Sequence, residues 1–281
     1  MQLLHQQFLQ QCCRHQPGGD YRRRVLSPRL SPDFTPSHGF LRAPNGTFTV
    51  FDPPGSQSTV PSAINPAGTV TGGFSGSTGG NHGFLRAPND TFTTFDPLGS
   101  TFTQPDAINP AGTIAGQFVD VRGVLHGFLR TSDGTITVID APSSLPDFPY
   151  TEATGINPAG AIVGNFFSSD FSASHGFLRA PNGTITVFDA PGSPFTIPQD
   201  ISPGGTIVGW FFSPDFSVSH GFLRAPNGTI TVFDPPGSQL TFVAPAGGGG
   251  AFNPAETVTG WFTPPDFSAV HGFVGHLKNM R

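Results

Sequence analysis

Charge and cysteine are both scarce in this sequence, and each shortage removes a class of protein. Charged residues make up 11% of the 281 positions, against about 25% in an average globular protein. Lys278 is the only lysine and the formal net charge is −5, so the chain lacks the basic stripe that nucleic-acid binding requires. The two cysteines, Cys12 and Cys13, are adjacent, which argues against a disulfide framework.

Long apolar runs and helical periodicity are also missing. No segment has the length and apolar character of a signal peptide or a membrane span. Glycine (37 residues) and proline (30 residues) are abundant, which approaches the composition of low-complexity chains. The 29 phenylalanines supply a large apolar area, and they argue against disorder.

A repeat occupies most of the chain. The phrase His-Gly-Phe occurs six times, at steps of 44 to 51 residues, and five copies end in an aspartate 14 positions after the histidine. The last copy, at His271, is clipped. A period in this range indicates stacked supersecondary units. The repeated pairs are His38/Asp52, His82/Asp96, His126/Asp140, His175/Asp189 and His220/Asp234.

The sequence of each repeat predicts two β-hairpins. The first has a Pro-Asn-Gly turn, which predicts a three-residue loop and pairs Arg42 with Phe48. The second has a Pro-Ala-Gly turn. Four short strands in about 45 residues are typical of a propeller blade. We therefore predict an all-β, five-bladed propeller of four-stranded antiparallel blades, closed by the 252–262 hairpin joining the 38–52 hairpin. A six-bladed ring and a stacked β-repeat array are the alternatives.

The chain divides at residue 31. Residues 1–30 hold five of the thirteen basic residues and are interpreted as a disordered basic tail, either native or foreign to the domain. Residues 31–281 form the repeat domain. The segment 31–37 matches 213–219, so it is interpreted as the end of a preceding repeat, in a fragment or a chain with a misplaced start.

The phrases Ala-Ile-Asn-Pro-Ala-Gly-Thr-Ile-Ala-Gly (107–116) and His-Gly-Phe-Leu-Arg with Asn-Gly-Thr resemble the HAF-type extracellular repeats of bacteria. Those repeats have His-Ala-Phe where this chain has His-Gly-Phe. The likeness covers about residues 31–277 and implies a secreted or cell-surface β-repeat protein, without established catalytic residues. The repeat length is also similar to that of five-bladed tachylectin-type lectins, a weaker analogy without a shared motif.

The His–Asp pairs are interpreted as structural. Such a pair can orient a base or support a metal ligand. A feature present in every repeat is more often architecture, because catalysis needs different groups at one place. We expect a buried imidazole in each pair, and no metal, no cofactor and no catalytic residue. The arginine of each repeat is expected to stack on the phenylalanine opposite it, as Arg42 on Phe48.

Three loops differ from the rest and are the candidate binding site. They carry Asp-Phe-Ser in three consecutive repeats, whereas residues 75–81 and 119–125 are plain loops. Loops on one face of a repeat protein often form its binding side. Aromatic rings beside carboxylates suit sugar recognition, although each phenylalanine could instead plug a blade edge. The candidate ligand-binding residues are Asp170, Phe171, Asp215, Phe216, Asp266, Phe267, Trp210 and Trp261.

Three functions fit these observations. The prediction adopted is a non-catalytic extracellular propeller that recognises glycans or a surface protein through loops on one face. The alternatives are a structural surface repeat protein without a small ligand, and a five-bladed glycosidase or polysaccharide lyase. A glycosidase needs two carboxylates with distinct roles, and Glu152 and Glu256 are the only glutamates. We expect a monomer that binds no nucleic acid and does not span a membrane.

Overall fold

The computed structural model describes residues 36–77, 79–142, 150–168, 171–244 and 257–276, and the backbone of 21–22. Every regular element in these ranges is a β-strand, and none is a helix that could cross a lipid bilayer. The strands are β1 (Tyr21–Arg22), β2 (Gly39–Arg42), β3 (Phe48–Phe51), β4 (Ser56–Ile64), β5 (Val70–Gly76), β6 (Asn81–Arg86), β7 (Phe92–Phe95), β8 (Ser100–Ile108), β9 (Ile114–Asp120), β10 (Leu125–Arg130), β11 (Ile136–Ile139), β12 (Thr151–Ile156), β13 (Ile162–Phe167), β14 (Ser174–Arg179), β15 (Ile185–Phe188), β16 (Phe195–Ile201), β17 (Ile207–Phe212), β18 (Ser219–Arg224), β19 (Ile230–Phe233), β20 (Leu240–Val243), β21 (Thr257–Thr263) and β22 (His271–His276).

The strands form blades. The groups β4–β7, β8–β11, β12–β15 and β16–β19 are each four antiparallel strands in sequence order, and β20–β22 form a three-stranded unit. The first strands of neighbouring blades, such as β4 and β8 or β12 and β16, contact each other, so these strands are innermost. The chain is therefore an all-β, propeller-like protein.

The expected closure of the ring is not found among the described strands. Strand β21 pairs with β22, and the β2–β3 hairpin lies in a separate sheet with β1. Strand β22 carries the same His-Gly-Phe phrase as β2 and follows β21 after a short loop. Pairing with a near neighbour costs less chain entropy than pairing with a strand over 200 residues away, so β22 takes the place predicted for β2.

The blade strands are joined into two large sheets. An eight-stranded sheet contains β4–β11, and an eleven-stranded sheet contains β12–β22. Successive connections alternate between two faces. The Pro-Asn-Gly and Pro-Ala-Gly turns lie on one, which we call the turn face. The loops from the second to the third strand of each blade, and from one blade to the next, lie on the other, which we call the loop face.

The core lies between the blades and depends on the repeated Gly-Phe geometry. Phe84, Phe128, Phe177 and Phe222, one from each complete blade, are fully buried. Each lies opposite a glycine of the second strand, and a Cβ on Gly209 would lie 2.6 Å from the ring of Phe222. The glycine inside that strand is therefore required by the close approach of the aromatic ring.

The repeated arginines stack between blades, which corrects the sequence expectation. Arg42 lies over Phe48 of its own hairpin. In three later repeats the ring comes from the preceding repeat: Arg86 lies 4.9 Å from the Phe51 ring, with like contacts for Arg130 on Phe95 and Arg224 on Phe188. The predicted backbone pairing within the hairpin is correct, as for Arg86 with Phe92. The guanidinium of these three arginines nevertheless packs on the phenylalanine ring of the preceding repeat.

Candidate functional site

Each repeated histidine lies within hydrogen-bonding distance of its aspartate. The Nδ1-to-carboxylate distances are 2.7 Å for His38, His82 and His220, 2.8 Å for His126 and 2.9 Å for His175. In three repeats a threonine of the next inner strand donates to the other carboxylate oxygen: Thr59 to Asp52, Thr103 to Asp96 and Thr241 to Asp234. The aspartate thus connects the third strand of one repeat to the first strand of the next.

The expectation of buried imidazoles is wrong for four of the five pairs. The histidine side chain of the His126 pair is 11% exposed, whereas the other four are between 32% and 57% exposed. These four imidazoles lie at the loop-face end of the third strand and are reached by solvent, whereas the equivalent His126 is covered by the adjoining turn, with its Nε2 3.6 Å from Asp120 Oδ2. Loss of the aspartate would leave these imidazoles hydrated.

The pairs do not have the arrangement of a nucleophilic triad. In such a triad the hydroxyl donates to the histidine, whereas Thr59, Thr103 and Thr241 donate to the aspartate. The histidine rings pack on phenylalanines of the second strand, as His126 does on Phe118 at 5.0 Å. No group of three metal-ligating side chains occurs in the described part of the chain. We keep the interpretation of these pairs as structural.

The Asp-Phe-Ser loops hold their phenylalanines in an unusual backbone conformation. Phe171, Phe216 and Phe267 have φ angles of 57°, 59° and 53°, in the left-handed region that bulky residues rarely adopt. In the Pro-Asn-Gly turns the corresponding position belongs to a glycine, such as Gly228 at 93°. Each of these three phenylalanines therefore carries a backbone cost of about 1–2 kcal/mol.

These three rings are open to solvent. Phe171, Phe216 and Phe267 are 53%, 46% and 61% exposed, which does not fit plugs buried between blades. Two of them continue into a network of nine rings with neighbouring centroids 4.2 to 6.3 Å apart, which we call the aromatic belt. Its rings are those of Tyr150, Phe167, Phe171, Phe195, Trp210, Phe212, Phe216, Phe242 and Trp261.

The tryptophans lie deeper than the loops. Trp210 contacts Phe212 and Phe242, and Phe242 stacks on Trp261 with centroids 4.2 Å apart. Trp210 also packs on the core cluster that contains Val208. Both tryptophans are half-buried, so they support the belt from the second strands β17 and β21, while Phe171 and Phe216 form its exposed edge.

Two of the three loop carboxylates belong to the described residues. Asp215 Oδ1 accepts hydrogen bonds from Ser213 Oγ and from Ser217 N and Oγ. These bonds lower the pKa of Asp215 to about 2. Asp266 Oδ1 accepts from the backbone and hydroxyl of Ser268, which also lowers its pKa. Asp170 lies outside the described residues. Asp215 and Asp266 are therefore exposed, fixed and negatively charged.

The described residues at the corresponding positions of the eight-stranded sheet do not repeat this arrangement. Where the eleven-stranded sheet has Phe167 and Phe212, just before the loops, the register places Ser75 and Val119. The loop at Asp120 is a tight turn in which that carboxylate bonds Arg122 and the Val124 backbone. Among the described residues, the belt and the open carboxylates thus belong to the eleven-stranded sheet.

A buried carboxyl group on the innermost strand β8, Asp106, was missed by the sequence reasoning. Ser62 and Asp106 occupy the bulge in β4 and β8, and Gln104 Nε2 donates to Ser62 Oγ at 2.8 Å. Glu152 holds in β12 the position that Gln104 holds in β8, which directs it toward Asp106. Asp106 is 7% exposed and its Oδ2 has no hydrogen-bond partner. Burial raises its pKa well above the usual range, and the charge of Glu152 adds to this.

A cavity of about 440 Å³ lies on the turn face, away from these groups. It is bounded by the Ala225–Thr229 turn and by Thr206, Leu223 and Thr231. Its lining holds no charged side chain.

Solved structures of similar fold are known. The S511A mutant of puromycin hydrolase complexed with PGG matches with a TM-score of 0.56 at 12% identity, over 96% of this chain and 52% of that one. TolB from Acinetobacter baumannii matches with a TM-score of 0.55 at 15% identity, over 92% and 64%. The Hadza microbial sialidase Hz136 matches with a TM-score of 0.52 at 13% identity, over 96% and 66%. The chain spans less than two thirds of the length of each.

These likenesses concern the fold, since the identities are between 12% and 15%. Together with the blade geometry they define a propeller-like all-β protein. No protein-family model and no curated sequence matches the chain.

Proposed function

We propose that this protein binds glycans without catalysis, through the aromatic belt and the Asp-Phe-Ser loops on the loop face of the eleven-stranded sheet. The observation that carries the proposal is the set of three half-exposed phenylalanines held in the left-handed region at equivalent positions. Backbone strain of this kind concentrates at ligand-contacting positions, because the surrounding structure must maintain it for a reason other than stability.

The chemistry of the belt suits a sugar. A pyranose ring presents an apolar face of C–H groups that packs on an aromatic ring, and hydroxyls that donate to carboxylates. Phe216 supplies such a ring next to Asp215, and Phe267 lies next to Asp266. All three bonds to Asp215 end on Oδ1, which leaves Oδ2 available to an incoming hydroxyl.

A glycan array followed by titration calorimetry of the strongest ligand tests the proposal. Phe216→Ala should weaken binding by about 2 kcal/mol or more, the cost of removing an aromatic contact at the centre of a site. Ser77→Ala on the plain loop is the matched control and should leave affinity unchanged. A structural surface protein without a small ligand would show no glycan binding in any of these samples, and that result would refute the proposal.

We also propose that the protein belongs to the HAF-type repeat family and lies outside the cytoplasm or on the cell surface. The HAF-type resemblance favours an extracellular repeat protein, and a glycan ligand fits that location. Fractionation of the producing cells should place the protein outside the cytoplasm or on the surface. Recovery in the cytoplasm alone would contradict this assignment.

We also propose five as the number of blades, with β20–β22 as the fifth, and a monomeric state. The support is the succession of innermost strands β4, β8, β12 and β16, each in contact with the next. An experimental structure with a sixth inner strand, or light scattering that gives a dimer mass, would overturn these points.

A further inference from the structure

On the loop face of the eleven-stranded sheet, the described Asp, Lys and Arg side chains carry charge of one sign only, and the histidines His175 and His220 are each hydrogen-bonded to one of those aspartates. The third histidine of this face, His271, stacks on Phe262. The aspartates there are Asp189, Asp215, Asp234 and Asp266. The arginines of the same sheet, Arg179 and Arg224, end the third strands and so lie at the turn face. A ligand that settles on the belt therefore meets carboxylates and no Lys or Arg in the described part of this surface.

The carboxylates of Asp215 and Asp266 accept hydrogen bonds that favour their charged form. Asp215 and Asp266 each follow a proline and precede the exposed phenylalanine, and serine donors hold one oxygen of each. Asp189 and Asp234, by contrast, are occupied by His175 and His220. The described loop carboxylates that no histidine holds are thus Asp215, next to Phe216 of the belt, and Asp266, next to the exposed Phe267.

We propose that the belt selects glycans that carry amino groups, such as oligomers of β-linked glucosamine, over neutral glycans and against acidic ones. This inference rests on the proposed glycan-binding function. A protonated amino group gains from both elements of the site, since a carboxylate attracts it directly and an aromatic face attracts it through its quadrupole. A uronic or sialic acid would instead meet like charge.

The test compares three oligosaccharides of equal length at about pH 6, where carboxylates of ordinary pKa are ionised. The probes are a glucosamine oligomer, its fully N-acetylated form and an oligogalacturonate, each titrated against the full chain by calorimetry. The glucosamine oligomer should bind about tenfold tighter than the acetylated form, and the oligogalacturonate should be the weakest. The preference should shrink as salt screens the charges.

Variants separate the charge from the rings. The double substitution Asp215→Asn with Asp266→Asn should reduce the preference for the glucosamine oligomer to near parity, because it removes charge and keeps shape. Asp120→Asn, on the equivalent loop of the eight-stranded sheet, is the matched control and should keep the preference. Phe216→Ala should weaken binding of all oligomers that bind, whatever their charge.

The outcomes distinguish the two ideas. Equal affinity for the amino and acetylated forms, or tighter binding of the oligogalacturonate, would overturn the charge selection while leaving glycan binding in place if Phe216→Ala still weakens it. A preference that survives the double Asp variant would also overturn it. Absence of binding to all three probes, and to every glycan of an array, would overturn the proposed function and this inference with it.

Discussion

The two large sheets are built from the same sequence repeat, but they differ in their loops and in their exposed aromatic side chains. Both have the buried phenylalanine, the strand glycine and the His–Asp pair in each complete blade. Only the eleven-stranded sheet has the aromatic belt and the exposed Asp-Phe-Ser loops. A requirement of the fold acts on every blade, so the shared residues are read as architecture and the unshared ones as function. The contrast works as an internal control within one molecule.

The largest expected effect concerns what the sheets share. A Cβ on Gly116 would lie 2.4 Å from the Gln104 carbonyl oxygen, and on Gly209 it would lie 2.3 Å from the Ile197 carbonyl oxygen. Gly116→Ala and Gly209→Ala should therefore each lower the free energy of unfolding by about 1–3 kcal/mol or more, measured by denaturant titration. If one variant is much more stable than the other, the two sheets are not equivalent in architecture.

The second prediction concerns Asp106, near the boundary between the sheets. Its folded-state pKa is raised by burial and by Glu152, so the protonated form favours folding and stability falls as pH rises through that pKa. Asp106→Asn should remove this loss and stabilise the protein at about pH 8, by about 1–3 kcal/mol for a carboxylate oxygen without a partner. Below about pH 4 the variant and the parent should be alike.

Denaturant midpoints of the two proteins across that pH range provide the measurement. Glu152→Gln should reduce the pH dependence without abolishing it, because burial is the larger cause. A parent protein that is more stable than Asp106→Asn at alkaline pH would show that the carboxylate is ionised and paired there.

The third prediction compares His–Asp pairs of the two sheets. His126 is buried, whereas His175 is a third exposed. Asp140→Ala should therefore cost about 1–3 kcal/mol, as expected for a buried group left without its partner, and Asp189→Ala should cost less than about 1 kcal/mol because water replaces the carboxylate. Melting temperatures of the two variants decide this. Equal losses of stability would mean that solvent exposure does not determine how much each His–Asp pair stabilises the fold. Loss of glycan binding in Asp189→Ala at unchanged stability would instead make the His175/Asp189 pair part of the binding site.

The smallest expected effect on stability concerns Phe216. Phe216→Gly gives up half-buried ring contacts with Phe195 and Phe212 and relieves the left-handed backbone, which costs about 1–2 kcal/mol in other residues. These contributions nearly cancel, so the stability should change by less than about 1 kcal/mol while glycan binding falls as it does for Phe216→Ala. A large loss of stability would instead make this ring a structural element of the blade edge.

Much of the local structure could be predicted from the sequence. The pairing of Arg42 with Phe48 occurs as expected, because a three-residue turn with Gly46 in the left-handed region sets the register of its own hairpin. The placement of four strands in each complete repeat followed from the same turn chemistry. These features depend on contacts between residues close in the chain.

The contacts between blades could not be predicted in this way. The sequence does not indicate that Arg86 covers Phe51 of the preceding repeat, that most of the paired histidines are open to solvent, or that β22 displaces β2. The same holds for Asp106, whose burial follows from a bulge in β8 and from the approach of β12. Each depends on the angle and distance between blades, which no local pattern encodes.

The sequence by itself determined the period, the hairpins, the strand glycines and the inequality of the loops, because turn chemistry and side-chain alternation act over a few residues. Only the tertiary structure decided which rings join across blades into one belt and which carboxylates meet. Those outcomes arise when strands of different repeats pack together. Phe195, for example, contacts Phe216 of its own blade and Phe167 of the blade before it.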